Sequence, residues 1–82
     1  MESTIQVTCF AGLKKYFGGE LTLNLHLPIA YENVLEEMKK INPEAAEILD
    51  SCRIAAYQTF VPLKSLMTSD EPIFIVPPSS GG

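Results

Sequence analysis

The sequence predicts an α+β domain, a mixed sheet with one main helix packed across it. Three patterns carry that expectation. Leu21, Leu23, Leu25 and Leu27 alternate with Thr22, Asn24 and His26, the period of a half-buried strand. Val34, Leu35, Met38 and Ile41 recur at helical spacing. Ile73-Phe74-Ile75-Val76 is an unbroken apolar run, which reads as a strand buried on both faces.

Each element follows in order. Ile5, Val7 and Cys9 alternate with Gln6, Thr8 and Phe10 in a first strand, broken at Ala11-Gly12. Leu13 to Phe17 allows one helical turn, stopped by Gly18-Gly19. The leucine strand ends at Pro28. The main helix runs from about Tyr31 to Ile41, with Glu32, Glu36 and Glu37 early and Lys39 and Lys40 late, as the helix dipole favours. Asn42-Pro43 stops it, because the residue before a proline is pushed away from helix. Pro43 to Leu49 is a short second helix with proline in its first turn. Arg53 to Phe60 reads as a strand, and Val61-Pro62-Leu63 as a short edge piece, since proline cannot occupy a central ladder. Thr68 to Glu71 is a turn before the last strand. A hairpin, a helix and then more strands place the helix across one face, with the last strand central and parallel to the first. That is a β-grasp arrangement.

The 82 residues suffice for a single core; a chain of that size buries roughly 60–65% of its unfolded surface. We divide it into a β-grasp domain, residues 1–78, and a flexible Gly-Gly tail, residues 79–82. Six Lys and Arg stand against ten Asp and Glu, a net charge of −4, a poor match to a phosphate backbone. No run reaches the roughly 18–20 apolar residues of a membrane span. Met1-Glu2-Ser3-Thr4 has neither the positive nor the apolar part of a signal peptide, so a cytoplasmic chain is expected.

The side chains do not assemble a catalytic set. His26 is the single histidine and no CxxC is present, so no metal site is expected. Glu36-Glu37 reads as a solvated helix face. Gly18-Gly19 lacks the context of a phosphate loop. Cys9 fits a core position, and only Arg53 lies near Cys52 to activate its thiol.

The C-terminal end is more informative. Pro77-Pro78 favours an extended path, and from Pro77 to Gly82 the reach is at most about 20 Å. Ser79-Ser80 and then Gly81-Gly82 follow. A frayed end is the plain reading. The chemical reading is that two residues without side chains thread a narrow channel and deliver the Gly82 carboxylate into a partner's active site. A carboxylate is a poor electrophile. Adenylation by ATP would activate it towards an amine, a thiolate or a persulfide.

At this point the chain resembles the small, sulfur-carrier subunit of molybdopterin synthase, in the MoaD/ThiS group of ubiquitin-like proteins. The resemblance rests on Val7-Thr8-Cys9-Phe10-Ala11-Gly12-Leu13 and on Ile73 through Gly82, an apolar strand running into Pro-Pro-x-x-Gly-Gly. The sequence departs from that pattern at Tyr57-Gln58, where the group often has an Asn before the Gln, and at Asp70 and Lys14. Ala30 also offers no side-chain cap to the helix.

The resemblance implies a ubiquitin-like β-grasp fold and a non-catalytic subunit of a sulfur-transferring synthase. Gly82 would pass through an acyl-adenylate to a thiocarboxylate. Pro77, Pro78, Ser79, Ser80 and Gly81 would enter the partner's channel. The implied partners are a ubiquitin-activator-like adenylating enzyme that uses ATP and Mg²⁺, a persulfide sulfur donor, and the large synthase subunit in a heterotetramer. The chain itself would bind no cofactor, and the sulfur would go to cyclic pyranopterin monophosphate. Phe10, Phe60, Leu63 and Phe74 are candidates for the partner surface, with the core as the competing position for each. Two other outcomes use the same tail: sulfur delivery to another pathway, such as thiamin thiazole formation, and isopeptide conjugation to lysines.

Overall fold

The computed structural model describes residues 1–78. Seven strands and three short-to-medium α-helices follow one another: β1 (Glu2–Cys9), α1 (Lys14–Phe17), β2 (Glu20–His26), β3 (Ile29–Ala30), α2 (Tyr31–Ile41), α3 (Ala46–Leu49), β4 (Arg53–Ala56), β5 (Thr59–Val61), β6 (Leu66–Met67) and β7 (Ile73–Val76). Single 3-10 turns at Ala11–Leu13 and Pro43–Ala45 lead into α1 and α3.

Five strands form one sheet in the order β2-β1-β7-β4-β5. β1 and β2 are antiparallel, with Ile5 opposite Leu23. β7 lies between β1 and β4, parallel to the first (Val7 opposite Ile73) and antiparallel to the second (Ile54 opposite Ile75). The expected central last strand is therefore present. The helices cover one face. Ile5, Val7, Cys9, Leu23, Leu25, Ile54, Ile73 and Ile75 point into that layer and are buried, as are Tyr31, Val34, Leu35 and Met38 of α2.

The α2 stripe starts at Tyr31 and takes positions i, i+3, i+4 and i+7. Ile41, expected on the buried face, is 58% exposed, so the stripe ends one turn before the helix does. No side chain caps α2. The amides of Tyr31 and Glu32 instead donate to the carbonyls of Ser65 (3.0 Å) and Leu63 (2.8 Å). Those free N–H groups of a first turn need acceptors, and here a distant loop supplies them. The loop is held by β6, which pairs with β3 (Ile29 opposite Met67) in a second small sheet. At the other end Asn42 accepts from the Glu44 amide at 3.1 Å and donates to the Tyr16 carbonyl at 3.1 Å.

Three sequence expectations need correction. Arg53 to Phe60 is not one strand. Tyr57 (φ 53°) and Gln58 (φ 66°) turn the chain back, giving the β4–β5 hairpin with Ala56 opposite Thr59. Two consecutive positive φ values are the geometry of a two-residue hairpin turn, which usually recruits Asn and Gly. The edge piece begins before Val61 and stops there, so Pro62 and Leu63 lie in the following turn. β7 is buried on one face only. Ile73 and Ile75 are fully buried, but Phe74 and Val76 are half-buried, because no described element covers the outer face of the sheet.

A left-handed conformation costs a residue with a β-carbon about 1–2 kcal/mol, while glycine forfeits up to about 1 kcal/mol of chain entropy. Gln58→Gly is therefore expected to raise stability by up to about 1 kcal/mol in urea denaturation. A loss of stability would show that the Gln58 side chain contributes more than its backbone costs.

Candidate functional site

Strand alternation decides what the outer face presents. On β1 and β2 it is polar. Thr4 donates to Asn24 (3.1 Å) and Gln6 to Glu20 (3.4 Å). His26 is exposed, with Nδ1 3.9 Å from the Glu2 carboxylate. On β7, β4 and β5 the same face is apolar. Ala55 stands between Phe74 and Phe60 in the ladder. Phe10, just past β1, is 40% exposed, and its ring centroid is 6.1 Å from that of Phe74. Phe60 is 55% exposed. A depression of about 390 Å³ is lined by Phe10, Ala55, Gln58, Thr59, Phe60, Phe74 and Val76.

Three of the four candidate surface residues, Phe10, Phe60 and Phe74, therefore share one exposed site, outside the core. Leu63 does not join them. It is half-buried against the core, beside the start of α2, where its carbonyl accepts from Glu32. Sequence reasoning missed Ala55, Gln58, Thr59 and Val76. Val76 and Ala55 were legible in principle, because each lies two residues from an outward-facing position of its own strand.

The depression opens beside the start of the tail. Val76 lines it and is the last residue of β7; Pro77 is buried and Pro78 exposed. On the helix side Pro78 lines a second hollow of about 410 Å³ with Tyr16, Glu44, Glu47, Ile48 and Ser51. The stalk thus leaves between an apolar surface and an acidic one. The expectations for Ser79, Ser80, Gly81 and Gly82 lie outside the described residues.

No described group has the features of a side-chain catalyst. Among the described residues no cluster of three His, Cys, Asp or Glu could hold a metal ion. Glu36 and Glu37 pair with Lys39 (2.7 Å) and Lys40 (2.9 Å) along α2, and Lys39 also bonds Asp50. Cys9 and Cys52 are free thiols, both buried. Burial pushes each from the ordinary 9.0 up to about 11, with the neighbouring Cys9 adding to the rise at Cys52. A reactive cysteine needs the opposite shift. Cys52 Sγ donates to the Ile48 carbonyl at 3.2 Å, a core role. Near the hairpin turn the Tyr31 hydroxyl donates to Glu71 at 3.0 Å, and Ser69 also bonds that carboxylate. Burial, then the Glu71 contact, lifts Tyr31 to about 12. At Glu71 burial favours the neutral acid, but the Ser69, backbone and tyrosine hydrogen bonds outweigh it and hold the carboxyl below its usual range.

Two measurements follow. Neither thiol of the folded protein should react with a disulfide reagent at pH 8, and both should react after denaturation. A raised acid pKa means the folded state keeps its proton longer than the unfolded chain. Stability from the two thiols is therefore complete below about 9 and falls as pH rises through about 11, and that from Tyr31 falls between about 10 and about 12. Melting temperature against alkaline pH checks this, with Cys52→Ala flattening the earlier part of the fall.

No family model and no curated protein matches the chain. Solved structures do. It is similar to a putative molybdopterin converting factor, subunit 1, from Pyrococcus furiosus, at 20% identity and a TM-score of 0.78 over 93% of this chain and 98% of that one. It is similar to the small archaeal modifier protein 1 of Methanosarcina acetivorans at 22% identity and a TM-score of 0.76, over 100% and 99%. A third likeness is to a protein-protein complex of subunits 1 and 2 of molybdopterin-converting factor from Helicobacter pylori, at 17% identity and a TM-score of 0.61, over 98% and 100%. With the parallel β1–β7 pair at its centre and α2 across one face, the chain has the ubiquitin-like β-grasp fold.

Proposed function

We propose that the chain is the sulfur-carrier subunit of a molybdopterin synthase, with its outer apolar face as the docking surface and the Gly82 carboxylate as the acyl group. The observation that carries this reading is the placement of the Phe10–Phe60–Phe74 depression beside Val76, where β7 passes into Pro77-Pro78 and the Gly-Gly tail. One partner surface then covers the depression while its channel takes the tail. The polar half of the sheet, carrying Glu2, Glu20 and His26, stays in water.

The chemistry belongs to partners. An adenylating enzyme joins the Gly82 carboxylate to the AMP of ATP and releases pyrophosphate. The terminal sulfur of a persulfide attacks the acyl carbon and expels AMP. A thiol reductant cleaves the resulting S–S bond and leaves the thiocarboxylate. In the large subunit that sulfur forms a C–S bond with a carbon of the pyranopterin precursor as a C–O bond at that carbon breaks and its oxygen leaves. Water then cleaves the acyl–sulfur bond to restore the Gly82 carboxylate and leave the sulfur on the product. This chain contributes the threadable end, the docking face and a rigid base.

Reconstitution tests it. The protein carrying a thiocarboxylate at Gly82, mixed with the organism's large subunit and cyclic pyranopterin monophosphate, should form molybdopterin. The carboxylate form should not. Removing Gly82 should abolish product with the melting temperature unchanged. Phe60→Ala should weaken capture by the large subunit about tenfold or more, the range of an aromatic anchor, while costing little stability because Phe60 is exposed. The likeness to a small archaeal modifier protein favours a second reading, isopeptide conjugation. Lysine adducts of Gly82 in cell extracts, with no molybdopterin formed, would select it.

A further inference from the structure

One charged residue stands on the apolar half of the outer face, and its position is specific. Arg53 is the first residue of β4 and pairs in register with Val76, the last residue of β7. It therefore stands at the root of the tail. Its guanidinium lies 5.7 Å from the centre of the Phe60 ring, so the cation rests on one wall of the depression. No carboxylate lies within ion-pairing distance of it among the described residues. The other outward residues of β7, β4 and β5 are Phe74, Val76, Ala55 and Phe60. In a chain of net charge −4 this is an isolated positive spot in an apolar field.

A partner that covers Phe60 also covers the guanidinium stacked on it. Removing a cation from water without an acceptor is strongly unfavourable. The arrangement is tolerable at an interface only if the partner brings an anion. A planar guanidinium, fixed on a ring, suits a bidentate carboxylate better than any neutral acceptor. Resting on the docking reading above, we infer that the protein receiving the tail carries an Asp or Glu at the mouth of its channel, and that Arg53 pairs with it. Arg53 is then a positioning residue. The aromatic side chains supply contact area, which tolerates sliding. A charge pair beside Val76 fixes where the tail starts relative to the channel.

Calorimetry with the large synthase subunit tests this, using the full-length chain and its Arg53→Glu, Arg53→Lys and Phe60→Ala variants at low and high salt. Arg53→Glu is expected to weaken binding by about 30-fold or more and to reduce the salt dependence of Kd, with Arg53→Lys in between. An acidic-to-lysine change at the channel mouth of the large subunit should restore binding of Arg53→Glu. The melting temperature of each variant, expected unchanged for this exposed side chain, separates docking from folding. Binding of Arg53→Glu within twofold of the wild type, at the same salt slope, while Phe60→Ala is weakened, overturns the inference and leaves the docking reading in place. Absence of binding by the wild-type chain overturns both.

Discussion

The pairing of β7 with β1 on one side and β4 on the other is the constraint on which the rest depends. Ile73 and Ile75 of β7 are fully buried and sit opposite Val7, Cys9 and Ile54. Without β7 the sheet is two separate hairpins, neither able to cover α2. The segment that closes the core is also the one that carries the tail. Folding and tail placement are therefore one event, and the contacts that recruit chain residues 73–76 are long-range in sequence.

How much of this was legible follows from the kind of signal at each place. The bounds of α2 were readable because Asn42-Pro43 is a local stop and the apolar spacing is regular. β7 was readable because Pro72 and Pro77 bracket it. The β4–β5 hairpin was not, since Tyr57-Gln58 carries neither the Asn nor the Gly that such a turn normally recruits. The β3–β6 pair was invisible because two residues on each side hold no periodicity, and only the register across the fold makes them strands. The site was half legible. Phe10, Phe60 and Phe74 were recognisable as candidates, but composition does not separate a core aromatic from one on an uncovered face. Leu63 fails for the same reason in reverse, since the α2 start draws its backbone inward. The expectation that β7 is buried on both faces carried a useful error: its excess apolarity belongs to the exposed depression.

The base of the stalk is asymmetric. Phe74, Val76 and Arg53 lie on one side of it, and Glu44 and Glu47 on the other. A partner approaching from the sheet side meets apolar area and a cation, and from the helix side it meets carboxylates. The two approaches differ in sign of charge as well as in shape, so one small domain presents two distinct surfaces on either side of the stalk.

The continuity of β7 with Pro77-Pro78 also has a mechanical meaning. A pull on the stalk is directed along the strand, across two ladders of hydrogen bonds, perpendicular to it in the antiparallel β4 pair and slanted in the parallel β1 pair. Those bonds are loaded together, in shear, and do not open one after another as they would in a peeled edge strand. The domain is built to bear tension at its C-terminal end, so a pull applied there strains the stalk before it disturbs the fold.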